Sequence, residues 1–509
     1  MAQRIQNLAV SAPAFFGLNT EGSPIGMSPN FADVADNCVI DKQGRIGARQ
    51  GYTAVSTNGA TVLGSSRGLE AVFEYTSFAG VKVVFSAGNN KIFTGTTTLT
   101  EVTLPVGYTI SANNWKIVSF NNDVYFYQSG HEPLRSVAGS TTLINVTNGG
   151  HSSPAANEVL AAFGRLWIAD VVGNNYTVYW SDLLNGNHWQ GGSSGSLDLT
   201  LVWPTGYDEI VALTEHNGFL LIFGRHSVII YTGADIVSTT GAFKLHDTIE
   251  GVGCIERDSV QATGNDILFL SDRGVMSLGR LVQEKSLPLR DVSGNVRTDL
   301  INLTKAETLP IHSFYSAFDA FYLLTFPTSG TTYCFDVRAP LEDGAFRATT
   351  WSSMNPVSFG NIAADGFYIG VESGLVSYGS YLDGAATYKM SYFSNPLDWG
   401  NTTNLKFLKK FNVTVIGGSG SSFDLNWGYD YSGTYNKQPI TFGAANTAQF
   451  NVSEYNTLAE YSGGVSVNKA TTNTSGSGVS VSVGIETTIN TQPFSIQTID
   501  IHALLGRII

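Results

Sequence analysis

Short apolar runs broken by polar turns recur along most of this chain. Asp266–Gly279 (DILFLSDRGVMSLG) sets the pattern: Ile267–Leu270 are apolar, Ser271-Asp272-Arg273-Gly274 is a turn closing on glycine, and Val275, Met276 and Leu278 resume the apolar run. Two such runs around a Gly/Asn/Asp turn predict a β-hairpin. The design returns in Val81–Gly95, Gly164–Ser181, Gly218–Gly233, Ala320–Asp336 and Gly366–Ser380, with a degenerate copy in Asn121–Val137, giving seven hairpins. They are spaced roughly 40 to 55 residues apart, a period that, with one small antiparallel sheet per repeat, predicts a β-propeller. About seven blades are expected, although chain ends often share a blade, so six or eight are also compatible with seven hairpins. Phe243–Gly264 reads as the outer strand of one blade, a crossing loop and the inner strand of the next. Val292–Leu303 predicts a helix on the propeller edge.

The flanks follow other rules. In the C-terminal part, Phe411, Val413 and Val415 alternate with Asn412 and Thr414, and Val479, Val481, Val483 and Ile485 alternate with Ser480 and Ser482. This alternation predicts a half-exposed antiparallel sandwich. Phe494 and Ile496 lie on one phase and Ile499 and Ile501 on the other, which calls for a β-bulge near Gln497. Thr471–Gly478 reads as a flexible loop. Near the N-terminus, Ser28–Ile40 predicts one short helix leading into a strand, with Ser28 as cap and Pro29 in the first turn. Asp41–Val55 reads as a connector hairpin. The expected organisation is an N-terminal platform segment over 1–66, a propeller over 67–385 and a C-terminal sandwich or platform domain over 386–509, the whole chain being all-β.

Composition agrees with many tight turns. The 509 residues include 55 glycines, 29 phenylalanines and 22 tyrosines, and only 14% are charged. The formal net charge of −13 argues against a protein that grips nucleic acid, which needs a basic surface to release counterions. It is compatible with a conduit along which DNA slides. Cys38, Cys254 and Cys334 have no metal-ligand spacing and read as free thiols of a chain folded in cytoplasm. Leu8–Leu18 loosely resembles a signal peptide but is broken by Pro13. No apolar run reaches membrane-spanning length.

Candidate chemistry is sparse. The eight histidines are scattered, and no metal site or cofactor is expected. The sequence contains neither a nucleophile elbow nor a phosphate-binding loop, and Gly192–Ser196 (GSSGS) lacks the lysine that phosphate binding would use. Asp272, Glu256, Asp258 and Asp319 lie near strand ends, and glycoside hydrolysis needs two carboxylates about 5 to 10 Å apart. Hairpin-turn aspartates are the ordinary explanation, and no catalytic residue is assigned. Leu405–Phe411 (LKFLKKF), with Lys406, Lys409 and Lys410, reads as a lysine-guarded strand edge.

Three segments resemble the tail nozzle (tail hub, or tail tubular) proteins of short-tailed bacteriophages. In Ala35–Tyr52 (ADNCVIDKQGRIGARQGY), Asn37, Gly44, Arg49 and Gly51 fall where that family's entry segment repeats an Asn, a turn Gly, an Arg and a following Gly. Glu250–Gly279 is similar to its middle blade, and Phe494–Arg507 to its last strand. The resemblance implies a non-enzymatic virion protein, assembled in the host cytoplasm as a homohexameric ring below the portal and its adaptor. It implies a channel that retains and ejects genomic double-stranded DNA without binding it specifically, and attachment of tail fibres or spikes. Asn37, Gly44, Arg49 and Gly51 would be structural, and the resemblance supplies no catalytic, cofactor or metal residues. The competing readings are a glycan-binding fibre or receptor-binding propeller and a propeller glycosidase or depolymerase.

Overall fold

In a computed structural model, residues 5–24, 26–148, 151–204, 206–237, 243–279, 291–362, 366–417, 422–442 and 466–508 are described. All seven predicted hairpins are present, each as two adjacent strands of one blade: Lys82–Gly88 with Lys91–Thr94, Asp123–Tyr127 with Leu134–Val137, Arg165–Val171 with Thr177–Trp180, Phe219–Gly224 with Ser227–Thr232, Ile267–Ser271 with Gly274–Ser277, Phe321–Phe326 with Thr331–Asp336, and Gly366–Val371 with Gly374–Ser380. We number the blades first to seventh in this order. Among the described residues, six have four strands and the fifth has three. Their innermost strands neighbour one another round a ring that closes where Ser358–Ile362 of the seventh blade meets Ala71–Thr76 of the first. The chain is thus an all-β propeller with a sandwich built beside it.

Ring closure uses the N-terminal part of the chain. Gly51–Ala54 pairs antiparallel with Gly374–Ser380 and supplies the outermost strand of the seventh blade. The propeller therefore takes in residues that the hydrophobic pattern alone places in the platform segment. The expected helix within Ser28–Ile40 is absent. Phe31–Asp36 and Cys38–Ile40 are strands separated by Asn37, whose φ of 53° breaks the run. Ala32 and Ala35 favour a helix locally, but Phe31–Asp36 lies between Gly17–Leu18 and Tyr388–Ser394, and those ladder bonds outweigh propensity. The predicted edge helix is Arg297–Ala306.

The platform has two sheets. One runs in the order Ser466–Asn473, Asn404–Gly417, Phe494–Ile508, Ile46–Ala48, Cys38–Ile40, with Ile5–Ser11 also on Phe494–Ile508 and Ser477–Gly478 also on Asn404–Gly417. The other runs Phe31–Asp36, Tyr388–Ser394, Val481–Ile489, Ser422–Tyr429, Tyr435–Thr441. Both chain ends therefore build one layer pair. A register shift places Gln497 in a bulge, so Phe494, Ile496, Ile499 and Ile501 are all buried despite their change of phase. Part of the expected loop Thr471–Gly478 is strand, because Asn404–Gly417 pairs on that side. Asn404–Gly417 is therefore an interior strand, and the expected lysine-guarded edge is not there.

The platform is not a separate lobe. Its second sheet continues through Gly17–Leu18 into Arg347–Trp351, the outermost strand of the sixth blade, making one ten-stranded sheet. The same hydrophobic core joins Leu270 and Val275 of the fifth blade and Phe335 of the sixth to Phe411, Val483 and Ile496 of the platform.

Within the fourth blade, Leu221 and Phe223 face the fifth blade while Leu220 and Ile222 face the third. A strand buried on both faces explains why FLLIF is continuously apolar rather than alternating. Leu221→Ala is expected to destabilise the chain by about 2 to 5 kcal/mol in denaturant unfolding, through lost burial and a residual cavity.

Candidate functional site: an ionic hub and a buried latch

Two polar constellations are assembled by the fold. The first occupies the propeller axis. Glu256–Asp258 enter as a short crossing between the fourth and fifth blades, and Arg257 points inward with only 3% of its surface exposed. Its Nη1 donates to Asn157 O and Oδ1 of the third blade (2.8 and 2.9 Å), and its Nη2 to Asn114 O and Oδ1 beside the second (3.2 and 2.9 Å). Nη2 also donates to Asp258 Oδ2 at 2.6 Å, and Nε donates to the same carboxylate. Lys116 of the second blade lies 3.4 Å from Asp258 and 3.7 Å from Glu158 of the third. Ser313 Oγ of the sixth blade donates to Asp258 O, and His312 Nδ1 is 4.0 Å from its carboxylate.

Contacts to second, third and sixth blades from one crossing segment mean that Arg257 and Asp258 span the bore. What remains beside them is a cavity of about 150 Å³ lined by Glu70, Asn114, Lys116, Gln261, His312 and Ser358, among others. That is room for a few waters, at about 30 Å³ each in the liquid, and no nucleic acid can thread it.

The hub is electrostatically uneven. Burial pushes Glu158 up to about 7, against the pull of Lys116 and Arg257. Burial likewise pushes Glu256 up to about 7, helped by Asp258. Burial alone would raise Asp258 too, but Arg257 and Lys116 hold it well below the usual carboxylate range. Burial lowers His312 to about 4, so it is neutral at pH 7. Glu158 binds its proton more tightly in the folded chain than in the unfolded one. Its contribution is therefore favourable below about pH 4.5 and is lost as pH rises through about 7. His312 acts oppositely, with stability lost as pH falls from about 6.5 towards 4. Glu158→Gln is expected to raise the melting temperature at about pH 8, by up to about 3 kcal/mol in stability, and to change little at about pH 5. Equal shifts at both pH values would contradict this assignment.

The second constellation is a latch between propeller and platform. The Arg49 side chain is fully buried and pairs with Asp383 through Nη1–Oδ1 (2.9 Å) and Nη2–Oδ2 (2.7 Å). Its Nε donates to Asn37 Oδ1 at 2.9 Å and its Nη2 to Ser353 Oγ at 2.7 Å. The guanidinium lies 4.2 Å from the ring centre of Tyr388, whose hydroxyl donates to Arg49 O. Asn37 adds a bond from Nδ2 to Lys389 O. Ser353 follows the sixth blade, Asp383 the seventh, and Tyr388 opens the platform strand, so one side chain ties three parts together. Gly44, at φ +71°, lies where a Cβ would come within 2.6 Å of Pro13 Cβ. Gly51 lies where a Cβ would collide with the Leu382 carbonyl oxygen. Asn37, Arg49 and Gly51 thus lie together at this joint, while Gly44 sits at the tip of the hairpin that carries Asn37 and Arg49, against Pro13.

The sequence-predicted carboxylates separate. Glu256 and Asp258 meet in the hub. Asp272 is exposed in its hairpin turn beside Arg273, and Asp319 accepts from Ser316 Oγ in another turn. Glu158, Lys116 and His312 went unpredicted; their signal was a charged or titratable residue in an innermost strand, which the period alone does not reveal. Lys406 is buried, its Nζ donating to Asn401 O and Val479 O, so LKFLKKF leaves Lys409 and Lys410 as its outward cations. Cys38, Cys254 and Cys334 are free and buried. Among the described residues, no group of three or more His, Cys, Asp or Glu side chains is placed to hold a metal, and no helix is long and apolar enough to cross a membrane.

No protein-family model matches the chain, and no curated protein matches it. Among solved structures, it is similar to the extracellular domain of the putative one-component system BT4673 from B. thetaiotaomicron, at 12% identity and a TM-score of 0.41, covering 81% of this chain and 59% of that one. It is similar also to YCF48 bound to D1 peptide, at 10% identity and a TM-score of 0.37, covering 62% of this chain and 93% of that one. The WD40 β-propeller domain of Doa1 gives 10% identity, a TM-score of 0.37 and coverage of 64% and 96%.

Proposed function

We propose that this chain is a structural virion protein of the tail-nozzle kind, assembling as a hexameric ring whose lumen conducts genomic double-stranded DNA. The observation that supports the reading is the joint: Asn37, Arg49 and Gly51 meet where a two-ended platform adjoins the propeller, and Gly44 turns the hairpin that carries Asn37 and Arg49. A platform stitched from both chain ends and continuous with one blade makes a stiff subunit for lateral packing. The propeller bore is blocked by Arg257, so a DNA channel in such a particle lies between copies and not through each one. In this reading the protein works without catalysis in the virion, with a portal-proximal adaptor above it and fibres or spikes attached. The test is negative-stain imaging of the purified chain with and without its adaptor, and of particles labelled on this chain. Six-fold rings at the tail support the proposal. Trimers at fibre tips, or a monomer that cleaves polysaccharide, overturn it.

A ring lumen of this kind is neutral to acidic. The chain carries 28 Lys and Arg against 41 Asp and Glu, and its one basic cluster has lost Lys406 to the interior. Duplex binding by the assembled ring at about 0.15 M salt is expected to be weaker than the roughly 10⁻⁴ to 10⁻⁶ M of non-specific DNA binders. Micromolar affinity with a steep salt slope would point to a DNA-gripping protein.

A further inference from the structure

A groove between the sixth and seventh blades, away from the hub and adjoining the latch at Gln50, has the makings of a ligand site. Its floor is a run of aromatic rings. Phe314 lies 4.8 Å from Phe367 between ring centres, and Phe367 lies 4.6 Å from Tyr378 with only 20° between planes. Tyr378 stacks in turn on Trp351 at 5.5 Å and 8°. Above this floor is a cavity of about 480 Å³, within the range of small-molecule sites. Polar groups interleave with the rings at its wall: Gln50, Tyr315, Asp319 and Asn361. At its rim stands Phe318, on the hairpin tip between His312–Ser316 and Phe321–Phe326, with 97% of its surface exposed.

We propose that this groove binds a neutral pyranose, with Phe318 lying against an apolar sugar face and Asp319, Asn361 and Gln50 taking hydroxyls. A pyranose presents C–H patches on its faces and hydroxyls round its edge. An aromatic wall interleaved with carboxylate and amide groups matches both. A purely apolar ligand would leave Asp319 and Asn361 facing it without compensation. An anionic sugar is disfavoured because the charged group among these wall residues is the carboxylate of Asp319, already raised by burial. An aromatic side chain held in water at a turn, where Gly, Asn or Ser is usual, has no packing role in the isolated chain. The site is independent of ring assembly.

The experiment is saturation-transfer NMR on the full chain with the methyl glycosides of glucose, galactose, mannose and N-acetylglucosamine, alongside a sialic acid glycoside and indole. At least one neutral glycoside is expected to bind with a dissociation constant of about 0.1 to 10 mM. Phe318→Ala and Asn361→Ala are each expected to weaken it about tenfold, equivalent to about 1.4 kcal/mol, at unchanged melting temperature. Both positions are exposed, so folding is not at stake. No transfer from any glycoside, affinity unchanged in both variants, or equal or tighter binding of indole or the sialoside would each overturn the proposal.

Discussion

Arg49→Ala is expected to destabilise the folded chain by about 3 to 5 kcal/mol, because it strands a buried carboxylate. Asp383 is 8% exposed and would lose both its bonds to the guanidinium, while Asn37 and Ser353 would each lose one. Arg49→Lys is expected to recover less than half of that loss. An ammonium cannot reproduce two parallel bonds to Asp383, a bond to Asn37 and stacking on Tyr388 together. Asp383→Asn should fall between them, since an amide keeps an acceptor but turns two donors towards Arg49. Urea unfolding midpoints of the three variants give the order. In the ring reading, Arg49→Ala also loses assembly at concentrations where Leu221→Ala, equally far from wild-type stability, retains it, because only the former loosens platform from propeller. Equal assembly in both would make the latch a stability element alone.

Much of the propeller was legible because each blade needs a hairpin that is apolar on both faces, and such runs bounded by Gly and Asn stand out against this chain's turns. Leu220 to Phe223 illustrate this: both phases are used, so no alternation masks the signal. The bulge at Gln497 was legible for the same reason, since a change of phase within one strand admits few geometries. What stayed hidden was long-range. Phe31–Asp36 reads as a helix because Ala and Asp carry no β preference, and only its partners some 355 residues away in sequence (391 minus 36 gives 355 for Asp36 and Ser391) make it a strand. Gly51–Ala54 gives no sign that it will close the seventh blade. The hub was invisible as a unit, because Lys116, Glu158, Arg257 and His312 come from separate repeats and meet only when the ring closes. The latch is half visible: Asn37 and Arg49 stand out within one segment, while Asp383 and Tyr388, which complete it, carry no signal of their own in the sequence.

Arg257→Met is expected to cost about 3 to 5 kcal/mol as well, by a route the latch does not share. Methionine preserves much of the stem's packing and removes the charge and all donors. Asp258 would keep Lys116 at 3.4 Å and the neutral His312, but lose the bonds that hold it below the usual carboxylate range. Asn114 and Asn157 would each lose the guanidinium bonds to both their carbonyl and side-chain oxygens, so the second and third blades would lose their shared tether on the axis. Removing both ions should hurt less than removing one: Arg257→Met with Asp258→Leu removes the carboxylate that the guanidinium pairs with directly and is expected to regain part of the loss. The single variant's deficit should also shrink below about pH 5, where Asp258, freed from Arg257, takes up a proton and ceases to be a buried charge. Hydrogen exchange on the innermost strands at about pH 5 and about pH 8 reads this directly. Relative to the wild-type chain at the same pH, the loss of protection in Lys116–Phe120 and Ala156–Ala162 is expected to be larger at about pH 8 than at about pH 5. A deficit independent of pH, or a double variant worse than the sum of its parts, would mean that Arg257 acts through packing and not as the charged pin of the propeller axis.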